Sequence, residues 1–170
     1  MNYAFYNCSK LVDAPLFDMS KVKDASNMFG NCSQLKTVPS YNSSLVTGFG
    51  YFFQNCTKIT SVGKLNGSSC ISLGSMFRGN KTSFTDFGGI ENLGQAYSTS
   101  ASANYSSYAL DLSTCTALTH DSLMNVINNL YDIASVGVQQ QRLILGSTNL
   151  AKLDVDTEVS IATNKGWSIS

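Results

Sequence analysis

Along the first ninety residues apolar side chains return three positions apart in short blocks, and the blocks return 24 residues apart. The sets are Leu11, Ala14 and Phe17; Leu35, Val38 and Tyr41; Ile59, Val62 and Leu65; and, one residue displaced, Phe84, Phe87 and Ile90. Spacing of three suits a chain that turns corners, and Pro15, Pro39, Gly63 and Gly88, which follow the second member of each set, predict a very short strand ending there. The segments 25–29, 49–53 and 73–77 place bulky residues for one or two helical or 3₁₀ turns.

Polar positions share the period. Ser20, Ser44 and Ser68 hold one phase, and the pairs Asn7-Cys8, Asn31-Cys32 and Asn55-Cys56 hold another, each two residues after Phe5, Phe29 or Phe53. A fixed period of this length marks a repeat architecture in which no copy buries its own apolar face and stability comes from stacking. The expected fold is therefore α/β: a leucine-rich-repeat solenoid over residues 1–93, with short parallel strands and short helices or 3₁₀ turns. Met1 falls at the phase of Ala25, partway through a copy, which leads us to expect a longer parent protein, an N-terminal partner domain or oligomer packing at an uncapped first repeat.

Periodicity lapses at 94–108, a Ser/Tyr-rich stretch with neither charge nor period, read as a surface loop. It resumes in 109–170, where the pattern predicts a strand over Tyr108–Ser113 and a helix over Asp121–Ile133 with Leu123, Val126, Ile127 and Leu130 on one face. Asp121 or Thr119 can cap that helix. A strand at Arg142–Leu145, a second helix over Asp154–Lys165 stopped by Gly166, and a last strand at Trp167–Ser170 complete a C-terminal helix-strand cap.

Stacked equivalent residues lie one strand spacing apart, about 4.8 Å. Asn7, Asn31 and Asn55 would then form a buried column bonding turn amides, with Cys8, Cys32 and Cys56 beside them as an internal column. That spacing is within disulfide reach, but buried free thiols acting as small hydrophobes are the preferred reading. The asparagines also sit in sequons, which a buried column could not glycosylate. No two cysteines lie within four residues, so no metal site is expected.

Charge narrows the partners. Only 13% of residues are charged, half the usual share, and 11 basic side chains balance 11 acidic ones. Without clustered Lys and Arg, neither nucleic acid nor an anionic membrane is an expected partner. No apolar run reaches a membrane span and the N-terminus has no export signal, so any such signal would lie outside this chain. The single histidine, His120, cannot assemble a Ser-His-Asp or multi-histidine site, and reads as a capping or surface residue. Asp13 and Asp86 share a phase three copies apart, roughly 14 Å, too far for paired-carboxylate hydrolysis. Gly48-Phe49-Gly50 lacks the rest of a phosphate loop and reads as a repeat corner. No catalytic residue and no cofactor is therefore assigned.

Outward-facing strand residues are the binding candidates: Val12 and Asp13, Lys36 and Thr37, Thr60 and Ser61, Thr85 and Asp86. Tyr97, Tyr105 and Tyr108 in the Ser-rich stretch are rivals, since Tyr with Ser, Gly and Asn is the composition of adaptable paratopes.

The run from Phe17 to Leu35, with Ser20, Val22, Met28-Phe29-Gly30-Asn31-Cys32-Ser33 and Leu35, resembles the "TSxVTxMxxMFxNCSxL" repeat of BspA-like bacterial leucine-rich-repeat proteins over residues 1 to about 90. Leu118–Tyr131, Leu145–Leu153 and Thr163–Trp167 resemble endings found on repeat proteins of gut bacteria and on tail or baseplate proteins of their phages. The resemblance implies a non-enzymatic recognition or adhesion module, extracellular or on the cell surface, that binds a protein or glycan on a host or bacterial surface. The alternative is a phage tail or baseplate structural or receptor-binding protein located in the virion tail. Gly79-Asn80-Lys81 departs from the pattern by replacing the Asn-Cys-Ser phase and adding a residue.

Overall fold

The computed structural model describes residues 1–79, 81–96, 110–137 and 140–170, and the statements below concern those residues. They form a mixed α/β structure. In chain order the elements are β1 (Thr37–Val38), β2 (Ser61–Val62), β3 (Leu65–Asn66), β4 (Asp86–Phe87), β5 (Ile90–Glu91), β6 (Leu110–Asp111), α1 (His120–Asn129), β7 (Gln141–Ile144), α2 (Gly146–Leu150), a π-helical turn (Val155–Val159), α3 (Ser160–Asn164) and β8 (Trp167–Ile169).

The described strand pairs are parallel, in sheets ordered β1-β2-β4, β3-β5 and β6-β7-β8. Register follows the sequence period: Val38 faces Val62, which faces Phe87, while Leu65 faces Ile90. Each of these side chains is buried, so a slip of one residue would expose the whole set. Strands stop after two residues where expected. A Cβ on Gly63 would lie 2.4 Å from the Ser40 amide nitrogen, and one on Gly88 2.6 Å from that of Lys64, so neighbouring copies approach more closely there than any side chain allows.

Segments 25–29, 49–53 and 73–77 differ from the expected helical turns: they run as tandem β-turns. Cys32 N–H donates to the Phe29 carbonyl and Met28 N–H to that of Ala25, both at 3.1 Å, while the intervening amides of Asn27, Phe29 and Asn31 donate across to Gly50, Phe52 and Gln54. Half the amides thus close turns and half join copies, which a helix, with every amide directed along its own axis, cannot do. The third residue of alternate turns is left-handed: Asn7 and Asn31 have φ of 62° and Asn55 of 56°. Asparagine tolerates that state, which explains its recurrence.

Inside the turns the phenylalanines stack. Ring centroids of Phe5 and Phe29 are 5.2 Å apart, Phe29 and Phe53 6.0 Å, and Phe53 and Phe77 5.5 Å, with interplanar angles of 5°, 11° and 29°. The extra residue of the fourth copy is taken up after Phe77, where strand offsets change from 24 to 25.

At the β4 edge α1 replaces the next strand. Thr119 caps the helix, accepting from the Ser122 amide at 3.3 Å, and buried Ser122 Oγ donates to the Thr85 carbonyl and accepts from the Phe87 amide, both at 3.0 Å. One hydroxyl thereby satisfies two edge groups that a strand would have paired. The helix ends at Asn129, short of Ile133, because the backbone turns to pair with Leu93: Leu93 bridges Leu130 and accepts from the Tyr131 amide. Lys165 Nζ covers the freed carbonyls of Ile127 and Asn128.

The expected second helix is divided into the π-helical turn and α3, with Asp154 accepting from the Thr157 amide and Glu158 reaching back to the Asp154 amide, each at 2.8 Å. α2 was not anticipated. Buried Asn149 fixes it by donating to the carbonyls of Leu112, Cys115 and Leu145 while accepting from Lys152 Nζ. The flanking strands lie within two residues of their expected bounds where described. No helix among the described residues is long and apolar enough to cross a membrane.

Candidate functional site

Parallel register brings together four of the expected strand residues. Asp13 bridges Thr37, Thr37 pairs with Ser61, and Ser61 with Asp86, so these side chains form one row, exposed at Asp13, Thr37 and Asp86 and half-buried at Ser61. Thr37 Oγ1 donates to Asp13 Oδ1, and Ser61 Oγ donates to Asp86 Oδ2 at 3.0 Å. Each end therefore carries a carboxylate fixed by a neighbouring hydroxyl. Three strand steps keep those carboxylates roughly 14 Å apart.

The adjacent row, Val12, Lys36, Thr60 and Thr85, is different. Thr60 and Thr85 hydroxyls donate to the carbonyls of Lys36 and Thr60 at 3.1 and 3.3 Å, so they hold copies together and offer no free proton outward. Val12 and Lys36 are exposed. Tyr97, Tyr105 and Tyr108 lie outside the described residues.

The asparagine column forms, but at the surface. Asn7 and Asn55 are exposed and Asn31 half-buried; Asn31 Nδ2 donates to Asn7 Oδ1 and Asn55 Nδ2 to Asn31 Oδ1, both at 2.9 Å. The left-handed corner swings each side chain out of the core, where amide meets amide rather than a turn N–H. Burial is accordingly not what would keep a glycan off these sequons.

The cysteine column is internal at Cys32 and Cys56 and exposed at Cys8, and all five cysteines are free. Cys32 and Cys56 thiols donate to the Phe5 and Phe29 carbonyls at 3.0 Å. In the fourth copy Lys81 takes the cysteine's place: its carbonyl accepts from the Phe84 amide as that of Cys56 does from Ile59, and the side chain is buried with Nζ on the Arg78 carbonyl at 3.2 Å. Burial pushes the Cys56 and Cys115 thiols up to about 12, despite the nearby Lys81, and holds the Lys81 ammonium below its ordinary range. Thiols so raised are poor nucleophiles and poor metal ligands.

His120 Nε2 lies 2.8 Å from Glu158 Oε1, a contact that joins the start of α1 to the π-helical turn. Bonding to Glu158, then to Asp121, raises the histidine pKa, and the Asp154 amide followed by His120 lowers that of Glu158. No cluster of three metal-capable side chains occurs among the described residues. An open groove of about 310 Å³ is lined by Ser40, Tyr41, Asn42, Lys64, Leu65, Asn66 and Glu91, beside β3 and β5.

The turn face carries residues the sequence reading passed over: Tyr3, Tyr6 and Tyr51, exposed by 55, 37 and 40%. Tyr3 and Tyr51 share a phase with Asn27 and Ser75, and a tyrosine in register with asparagine and serine was the available signal.

Residues 1–112 match a family profile described as "Mycoplasma protein of unknown function, DUF285", a family associated with BspA-like repeat proteins. No curated protein and no solved structure gave a significant match.

Proposed function

Because the chain belongs to the DUF285 family, whose function is unknown, we propose a role from its surface: a non-enzymatic recognition module that binds a protein or glycan through the row Asp13, Thr37, Ser61 and Asp86. In this reading the stacked copies are a short BspA-like leucine-rich-repeat solenoid displayed on a bacterial surface, with 109–170 as its cap.

The parallel register carries the reading. It sets small polar side chains from four copies in one solvent-facing row, each held by a neighbour, and so gives a pre-organised surface with little ordering cost on binding. The separation of the two carboxylates argues for recognition over hydrolysis. A weakly charged, Ser/Thr/Asn-rich exterior agrees with an extracellular setting.

The test is binding of the intact chain to immobilised extracellular-matrix proteins and glycans, compared with a Thr37→Arg/Ser61→Arg variant. Both positions face solvent or nearly so, and folding should survive. Loss of roughly tenfold or more in affinity at unchanged melting temperature supports the row as the site; equal binding by the variant rejects it.

A further inference from the structure

Tyr3 and Tyr51 occupy a backbone state that tyrosine ordinarily avoids. Each is the third residue of a turn closed by Ala4 N–H on the Met1 carbonyl or Phe52 N–H on that of Phe49, and their φ values are 58° and 55°. Asn27 holds the equivalent place between them at 57°. For an L-residue with a bulky side chain the left-handed state is strained, whereas asparagine adopts it readily. Burial would offset such strain, yet both residues are about half exposed.

Neighbouring residues fix the geometry of this face. Tyr6 meets Tyr3 edge-on, centroids 5.1 Å apart at 75°, and lies over Gly30, where a Cβ would come within 3.0 Å of Tyr6 Cδ2. The Tyr6 hydroxyl accepts from Asn31 Nδ2 at 3.0 Å, which ties the aromatic group to the Asn7, Asn31, Asn55 amide row. Tyr3 and Tyr51 stand two copies apart, about 9.6 Å at one strand spacing each. Across positions 2–7, 26–31 and 50–55 there is no charged residue and no exposed side chain larger than alanine that is purely aliphatic.

We propose that this strip binds an uncharged, extended carbohydrate. Tyrosine faces stack on the apolar C–H faces of sugar rings, and fixed amides donate to and accept from hydroxyls. The lack of charge disfavours an anionic ligand, and the lack of exposed aliphatic groups disfavours a protein hot spot. Strained, exposed aromatics are the kind of residue found in ligand clamps. The inference rests on the recognition reading but places a ligand on residues distinct from the sheet row.

Saturation-transfer NMR and calorimetry with cellohexaose, chitohexaose and xylohexaose, and a sulfated hexasaccharide for comparison, test it on the full chain. The variant is Tyr3→Asn/Tyr51→Asn, which copies the residue native to position 27 and should fold as well as the parent or better. We expect at least one uncharged hexasaccharide to bind, its affinity to fall roughly tenfold or more in this variant at an equal or higher melting temperature, and Thr37→Arg/Ser61→Arg to leave it unchanged. No binding of an uncharged hexasaccharide, binding of the sulfated one alone, or equal binding by the tyrosine variant overturns the proposal. Loss confined to the Thr37→Arg/Ser61→Arg variant overturns it too, and returns the glycan to the sheet row.

Discussion

Replacing Asn31 by glycine and by alanine separates the two jobs of the turn asparagine. Its side chain makes three hydrogen bonds, to Asn7 Oδ1 at 2.9 Å, to the Tyr6 hydroxyl at 3.0 Å and from Asn55 Nδ2 at 2.9 Å, and its φ is 62°. Both substitutions delete the bonds. At about 0.5–1 kcal/mol each for a half-buried amide, that is about 2 kcal/mol. Glycine keeps the left-handed backbone at no steric cost, whereas alanine pays about 1–2 kcal/mol for it, partly balanced by glycine's greater freedom when unfolded. Asn31→Ala should therefore lie about 1 kcal/mol below Asn31→Gly, and both below the parent. Urea unfolding followed by circular dichroism, with unchanged m-values, measures the order. A helical backbone at this position would reverse it, since alanine exceeds glycine by about 1 kcal/mol at a helical site. An alanine variant as stable as the glycine variant would refute the turn geometry.

Three further outcomes follow from the contacts. Ser122→Ala should cost about 1–3 kcal/mol in urea unfolding, because it strands the buried Phe87 amide at the β4 edge, while the Thr85 carbonyl keeps the Thr119 amide; a loss below 0.5 kcal/mol, on the order of a neutral surface change, would show that α1 does not cap the sheet this way. Stability should fall as pH rises above about 9, where unfolded thiols ionise while buried Cys56, Cys70 and Cys115, raised to about 12, stay protonated. Each thiol adds up to about 1.4 kcal/mol per pH unit, Lys81, Lys152 and Lys165, whose ammonium groups burial holds below their ordinary range, work in the opposite sense, and Cys70→Ala should flatten the pH dependence of the urea midpoint. His120 should titrate above 6.5 by NMR and return toward 6.5 in Glu158→Gln; its contribution to stability is present below about 6.5 and lost as pH rises through the raised folded value, while that of Glu158, lowered from 4.5, is lost on acidification. An unchanged histidine titration in Glu158→Gln would remove the pair.

The apolar phases Leu35/Ile59/Phe84 and Val38/Val62/Phe87 predicted the buried columns, and Pro39, Gly63 and Gly88 predicted the strand ends, because burial and steric access act on single positions that a period exposes. The turn geometry was less legible. Bulky residues at 25–29 have the same spacing whether their amides bond along the chain or across to the next copy, and only the recurring asparagine hints at a left-handed corner. α1 ended early because Leu93 competes for its backbone, a contact that joins residues far apart in sequence. Of the strand candidates, Asp13, Thr37, Ser61 and Asp86 form a row, whereas the Thr60 and Thr85 hydroxyls turned back to carbonyls one copy away, which no local pattern encodes. The strain at Tyr51 is a backbone property, which residue identity alone does not encode.

Both proposed binding surfaces depend on equivalent residues of successive copies standing in rows. Through-hydrogen-bond NMR couplings on a deuterated, ¹⁵N,¹³C-labelled chain read that arrangement directly. Correlations from the amides of Asn27, Phe29 and Asn31 to the carbonyls of Gly50, Phe52 and Gln54 are the expected result. Correlations from those same amides to carbonyls three or four residues earlier in their own copy would contradict it.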